Sequence, residues 1–351
     1  MATVEREELL EELEDHSAIG PVLAERIYDA VDPSSLDDVR DFVRTSKFEA
    51  VKGIGRSRSQ KIRKSLGVKA SATDGQEPFA SNRQKVLGKL RCPHCHQPEF
   101  TYRNNGLYCT HCERNYRTPG NIIDFLGDGK HNQVPIQALM ESGLYANYYE
   151  TVFRPFLTWF VSSRSLSEEY ALSTQYLDLD PDSDLLDVGC GTGNFTRYFA
   201  RSRDSETTDG KGCMVGLDVS RSMLKKAQAN TRYEGLQSEI EFLRADATAL
   251  PLLDNSFSHV HCSGAFHLMQ NFQQAAQNFA RVLKPGGTLV LGTFLVGPGV
   301  VRPLIKQASE FVSDFHWFTR EELFDLLTRT GFKVRDESIL NDAVTLRAER
   351  I

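Results

Sequence analysis

The spacing of apolar and polar residues divides the chain before any single residue is considered. Residues 1–69 show no strand-like alternation. Short amphipathic stretches there predict helices, the first of them acidic, with Glu5, Glu7, Glu8, Glu11, Glu12, Glu14 and Asp15. Residues 70–85, among them Ala70, Ser71, Gly75 and Pro78, are small and polar, which is a linker composition. Further along, the pattern changes to short apolar runs separated by amphipathic ones. Leu185 and Leu186 lead into Asp187-Val188-Gly189-Cys190-Gly191-Thr192-Gly193, and Phe195, Tyr198 and Phe199 mark the helix that follows. Val215 to Asp218, Ile240 to Ala247 and His259 to Gly264 read as further strands. Phe279 to Leu283 close a helix stopped by Lys284-Pro285-Gly286-Gly287, and Thr288 to Thr293 alternate as the next strand. Strands alternating with helices predict an α/β fold.

The turn after the first of these strands carries the chemistry. Its glycines let the backbone adopt positive φ and pass close beneath a ligand. A dinucleotide fold would place the third glycine one residue later, in the pattern GxGxxG, but position 194 is Asn. The spacing is GxGxG after an acid, and it resembles motif I of the class I S-adenosylmethionine (SAM) methyltransferases. The other landmarks follow in that family's order, so the resemblance covers residues 140–351. It implies a Rossmann-like seven-stranded methyltransferase domain. It also implies a cofactor site at Asp187, Gly189, Cys190, Gly191, Gly193, Asp218, Asp246 and Ala247. Asp218 would take the ribose hydroxyls, since a carboxylate can accept both hydrogen bonds, and Asp246 would meet the adenine. Asp218 also reads as a helix cap, a role for which Ser220 competes. Tyr145, Tyr148, Tyr149 and Arg154 resemble the family's lid segment, although an aromatic stripe equally suits core packing.

Cysteine spacing adds a second element. Cys92-Pro93-His94-Cys95 and Cys109-Thr110-His111-Cys112 are separated by thirteen residues. Two such knuckles close a tetrahedral Zn²⁺ site, with a hairpin between them. Residues 86–126 are therefore expected to form a zinc ribbon with Cys92, Cys95, Cys109 and Cys112 as ligands. A metal held by four thiolates keeps no open position, so its role is structural. His94, His96 and His111 stand beside the thiols as possible substitutes. The segment from Tyr116 to Phe125 resembles the tail of ribbons that precede methyltransferase domains.

Within residues 1–69, Val51-Lys52-Gly53-Ile54-Gly55-Arg56 followed by Ser57 to Ile62 resembles a helix-hairpin-helix motif. Its glycines would present backbone N–H groups to a phosphate at a helix start. Residues 51–69 carry seven Lys or Arg and no acid. Gly53, Gly55, Arg56, Arg58, Lys61 and Lys64 are therefore candidates to hold RNA or DNA by its backbone, without sequence selectivity. Ala18-Ile19-Gly20-Pro21 resembles a degenerate partner hairpin. A helical docking module with a solvated basic face is the competing interpretation.

Composition limits these readings. The 351 residues are 40% hydrophobic, enough for two or three domains, and a net charge of −6 argues against nucleic acid coating the whole surface. No run of eighteen apolar residues occurs, the N-terminus is charged, and the cysteines suit a reducing compartment. A soluble cytoplasmic protein is expected. For the acceptor, strand four ends in Ser263-Gly264-Ala265-Phe266-His267 rather than Asn/Asp-Pro-Pro-Tyr, which disfavours methylation of exocyclic base amines. His267 lies where a base would be useful, and a structural role at the strand-to-helix turn is the alternative. The order of ribbon and catalytic domain resembles the ribosomal RNA guanine-N1 methyltransferases, although those end the second knuckle in Cys and His. It also resembles plastid and cyanobacterial ribbon-containing methyltransferases and, more distantly, quinone C-methyltransferases. The two auxiliary modules tilt the expectation towards nucleic acid, with a small quinone or lipid-like acceptor as the alternative.

Overall fold

The structure is a computed structural model that describes residues 2–16, 19–31, 36–44, 48, 51, 54, 56–66, 68, 80–103, 106–127, 165–203, 212–296 and 316–351. It divides into two compact units, Met1–Ser81 with Ala229–Ser238, and Asn82–Gln228 with Glu239–Ile351.

The first unit contains helices α1 (Ala2–Glu14), α2 (Pro21–Val31), α3 (Leu36–Arg44) and α4 (Arg56–Ser65). Pro21 opens α2, where its missing N–H would have had no partner in any case. Leu13, Ile27, Val39, Val43, Phe48 and Ile62 are fully buried and form a small core. No strand lies among the described residues of this stretch, as the pattern predicts.

The expected linker is shorter than its composition suggests. Helix α5 (Ala80–Leu87) begins inside it, and residues 70–79 lie outside the described part. Asn82 explains the change. Its amide donates to Met214 O at 3.3 Å and accepts from Met214 N at 3.2 Å, as a neighbouring strand would. Next in the chain, β1 (Phe100–Arg103), β2 (Gly106–Cys109) and β3 (Asn115–Arg117) form an antiparallel three-stranded sheet.

The main sheet is built from β4 (Ile123–Asp124), β5 (Leu185–Val188), β6 (Met214–Asp218), β7 (Ile240–Arg244), β8 (Phe257–Ser263), β9 (Leu283–Phe294), β10 (Phe332–Leu340) and β11 (Ala343–Arg350). Their order is β10-β11-β9-β8-β5-β6-β7-β4. Strands β5 to β9 run parallel, and the antiparallel β11 sits between β9 and β10. Strands β5 and β7 are buried along their whole length, as parallel strands covered on both faces must be. The expected seven strands are β5 to β11, and the segment that follows the cysteines adds an eighth at the sheet edge. Ile123 and Asp124 pair in parallel with Leu243 and Arg244 of β7.

The flanking helices include α6 (Leu166–Leu177), α7 (Asn194–Ser202), α8 (Arg221–Tyr233), α9 (Phe272–Val282) and α10 (Arg320–Arg329). Two of them start from capping boxes, Ser165 with Glu168 for α6 and Thr319 with Glu322 for α10. Strand β5 pairs with β6 on one side and β8 on the other. The strand order therefore reverses at β5, and a ligand crevice forms at the carboxyl ends of strands at such a reversal.

Candidate functional site

The glycine turn follows β5 at that reversal. Gly189, Gly191 and Gly193 have φ of 69°, 56° and 78°, the left-handed region that glycine enters most easily. A Cβ on Gly189 would come within 2.3 Å of Ala265 Cβ. The turn is held by Leu217 O, which accepts from Gly189 N at 2.7 Å and from Cys190 N at 3.0 Å. Asp218 Oδ2 accepts from Gly191 N at 2.8 Å. Around this turn lies a small cavity, lined in part by Asp187, Gly189, Gly191, Asn194, Ser263 and Gly264.

Each acid expected here has a defined setting. Ser220 Oγ accepts from Met223 N and caps α8, so the capping role does not fall to Asp218. Asp218 Oδ1 accepts from Ser220 N at 2.8 Å. Asp246 Oδ1 takes Thr248 N and Oγ1, both at 2.8 Å, and caps the 3₁₀ turn that begins at the buried Ala247. Cys190 is buried, and burial together with the nearby Asp218 and Asp187 pushes its thiol well above the ordinary range, so it is not a nucleophile. Asp187 is buried, and its two oxygens are engaged by Thr196 and His261. His261 escaped the sequence reading. The available signal was an imidazole inside a buried central strand, where the pattern calls for apolar residues.

Residues 185–287 match the methyltransferase domain family. A chloroplastic methyltransferase of Arabidopsis thaliana, itself uncharacterized, is 27% identical over 289 residues, covering 74% of this chain and 77% of that protein. An O-methyltransferase of Aspergillus nomiae is 30% identical over 171 residues, 47% of this chain and 70% of the relative. The chain belongs to the class I SAM-dependent methyltransferases. A ubiquinone/menaquinone biosynthesis C-methyltransferase of Klebsiella pneumoniae matches at 29% over 151 residues, 43% of this chain and 56% of that enzyme. The cavity of this methyltransferase suits SAM on its own terms. The glycine turn lines the cavity with backbone, and the buried Asp187 carboxylate at its edge would complement a ligand that carries positive charge.

The four cysteines expected as ligands are brought together, with all four sulfurs within 4.8 Å of one another. Cys92 Sγ lies 3.6 Å from Cys112 Sγ, and Cys95 Sγ lies 3.5 Å from Cys109 Sγ. A tetrahedron with Zn–S bonds near 2.3 Å has edges of about 3.8 Å, so the spacing fits. The two knuckles have the same backbone. Each ends in a left-handed residue, His96 at φ 61° and Glu113 at φ 60°, whose N–H donates to Cys92 O and Cys109 O respectively. His94, His96 and His111 are not in the cluster among the described residues. Tyr116 Oη contacts Cys92 Sγ at 3.0 Å, and its ring packs 4.9 Å from that of Phe125, just beyond β4.

His267, expected as a base, sits on the 3₁₀ turn after β8 but does not line the cavity. It is buried against Phe294 at 4.6 Å, and burial pushes its pKa down to about 3. It stays neutral at physiological pH and takes a proton poorly, so its placement does not favour the role of base. Beyond the carboxyl ends of β8 and β9, Phe272 packs against His316 with ring centroids 4.7 Å apart, and Phe294 packs against Trp317 at 6.0 Å. The lid candidates Tyr145, Tyr148, Tyr149 and Arg154 lie outside the described residues, as do Gly53 and Gly55. Arg56 begins α4, and its side chain is likewise outside the description. Arg58, Lys61 and Lys64 are exposed on α4, whereas Arg63 donates to Val43 O at 2.8 Å and lies over the Phe48 ring.

Proposed function

We propose that the enzyme methylates a small, planar, conjugated acceptor of quinone or phenol type. The observation that carries this reading is two aromatic pairs, Phe272 with His316 at 4.7 Å and Phe294 with Trp317 at 6.0 Å, in the segments beyond the carboxyl ends of β8 and β9, where Ser263 and Gly264 of the β8 end line the cavity. Partly exposed aromatic rings of this kind accept a flat molecule at little conformational cost. The relatives whose names state an acceptor or atom class point the same way, a quinone-pathway C-methyltransferase and an O-methyltransferase. SAM supplies an electrophilic methyl group. The chain's own part is to hold the cofactor by Asp187, Gly189, Gly191, Asp218 and Asp246, and to orient the acceptor about 3 Å from that methyl.

Structural Zn²⁺ bound by Cys92, Cys95, Cys109 and Cys112 belongs to the same proposal, as does a reducing compartment such as the cytoplasm. None of the cysteines is in a disulfide. Among the described residues no helix is long and apolar enough to cross a membrane.

A nucleic-acid acceptor, RNA before DNA, is the second reading. Its support is the exposed Arg58, Lys61 and Lys64 on α4, with the helical module and the ribbon holding the strand. Incubation with methyl-labelled SAM and separate lipid, RNA and DNA extracts tests the two readings. Label in the lipid-soluble fraction is expected. Label confined to RNA or DNA would replace the first reading by the second.

A further inference from the structure

Asp187 lines the cofactor cavity, yet it is only 2% exposed, and both of its carboxylate oxygens are engaged from within the protein. Thr196 Oγ1 donates to Oδ2 at 2.5 Å, and His261 Nδ1 lies 2.8 Å from Oδ1. The partners come from different elements. Thr196 is in the first turn of α7, and His261 is on β8, at the register position opposite Asp187. The imidazole is completely buried and packs between Phe195, with ring centroids 4.5 Å apart, and Phe199 at 5.0 Å.

The ring's far nitrogen assigns the tautomer. Among the described residues His261 Nε2 is buried with no hydrogen-bond partner, so a proton there would have nothing to donate to. The cost of an orphaned buried donor places the proton on Nδ1, where the carboxylate accepts it. An apolar side chain would fill the space between two phenylalanines without this polar burden. What the imidazole adds is one donor, aimed at the acid at the edge of the cavity.

We propose that His261 is a positioning residue, which holds the Asp187 carboxylate in the orientation that receives the cationic cofactor. The proposal rests on Asp187 as a cofactor residue. Three variants separate the claims when titrated calorimetrically with SAM, at a temperature below all their melting transitions. His261→Phe keeps a ring between Phe195 and Phe199 and deletes the donor. His261→Asn restores a donor near the place of Nδ1 and leaves a void between those rings. Affinity is expected to fall about tenfold or more for His261→Phe, the range of a lost hydrogen bond to a charge, and to recover most of the way in His261→Asn. A ring that merely fills space predicts the opposite order, so an Asn variant that binds no better than the Phe variant overturns the proposal. Asp187→Ala is the control for the underlying reading. Unchanged affinity there removes Asp187 from the cofactor site. Weakened binding there, with His261→Phe binding like wild type, defeats this inference alone. Nitrogen-15 spectra of the unaltered protein's imidazoles provide a test that no folding failure can blunt. A ring protonated at Nδ1 and not at Nε2 is expected for His261, and protonation at Nε2 overturns the proposal.

Discussion

At the scale of single residues, the buried histidines set a pH dependence. Burial lowers the His267 pKa to about 3. Burial is also the main cause at His259, where it outweighs nearby Asp180 and brings the value to about 4. In the unfolded chain both would take a proton near pH 6.5. Between these values the unfolded state binds more protons than the native one, so stability falls as pH drops below about 6.5. For His267 the slope is about 1.4 kcal/mol per pH unit, until the native ring titrates near pH 3. Urea unfolding at pH 7, 6 and 5 should show the decline, and His267→Leu should make it shallower. An equal slope in that variant would mean that His267 is not buried as a neutral ring. The glycine turn gives a second prediction. Gly189→Ala would have to fit a Cβ 2.3 Å from Ala265 Cβ at φ 69°, so the turn must shift. A strained backbone of this kind costs about 1–3 kcal/mol. A loss of that size in unfolding free energy, with at least tenfold weaker SAM binding, is expected from calorimetry.

At the scale of elements, the short β4 is held by charge more than by its length. Asp124 is buried between Arg244, at 3.2 Å, and Arg221, at 2.9 Å, and Arg244 also donates to Gly127 O at 2.7 Å. The Nε of Arg244 reaches Val219 O at 2.9 Å, next to the acid Asp218. Removing one partner of a buried pair costs about 3–5 kcal/mol, because the remaining charge is left uncompensated. Asp124→Ala should therefore destabilise the second unit by an amount in that range. Hydrogen exchange should locate the loss at residues 123–127 and at the edge of β7, and protection unchanged there would contradict this account. The cysteine ribbon gives the metal prediction. One Zn²⁺ per chain is expected, lost in Cys92→Ser and in Cys109→Ser. Chelation should open residues 86–126 to protease, because a small metal module has little core of its own. Full zinc content in both variants would rule out these ligands.

At the scale of the whole molecule, the two acceptor readings assign different work to the first unit. Its exposed cations on α4 stand on a chain whose net charge is −6, so attraction for a polyanion would be local. Arg58→Glu with Lys61→Glu should leave turnover on a small acceptor unchanged and should leave SAM affinity unchanged. If nucleic acid is the acceptor, the same pair should weaken its binding and flatten its salt dependence, through the loss of phosphate contacts. Labelled product and filter binding at two salt concentrations distinguish the outcomes.

The catalytic fold was legible in the linear order of strands and helices, because each parallel strand carries its own apolar run and each helix its own start and stop. The glycine turn was equally legible, since only glycine enters its left-handed conformations cheaply. The cysteine knuckles were local too, each a single turn closed within a few residues. The relations between distant segments were not legible. Nothing in Ile123 and Asp124 announces a strand, because two residues carry no period. Their pairing with β7 depends on Arg244 and Arg221, both about a hundred residues away in sequence. The same holds for Asp187 and His261, which meet only through the register of β5 against β8. His267 looked like a base because of its position along the chain, and only packing against Phe294 and its neighbours revealed that burial keeps it neutral. Sequence thus determined what depends on backbone periodicity and turn chemistry. Tertiary structure decided which polar groups are buried and which partners they find, because desolvation and pairing depend on neighbours brought together by the fold.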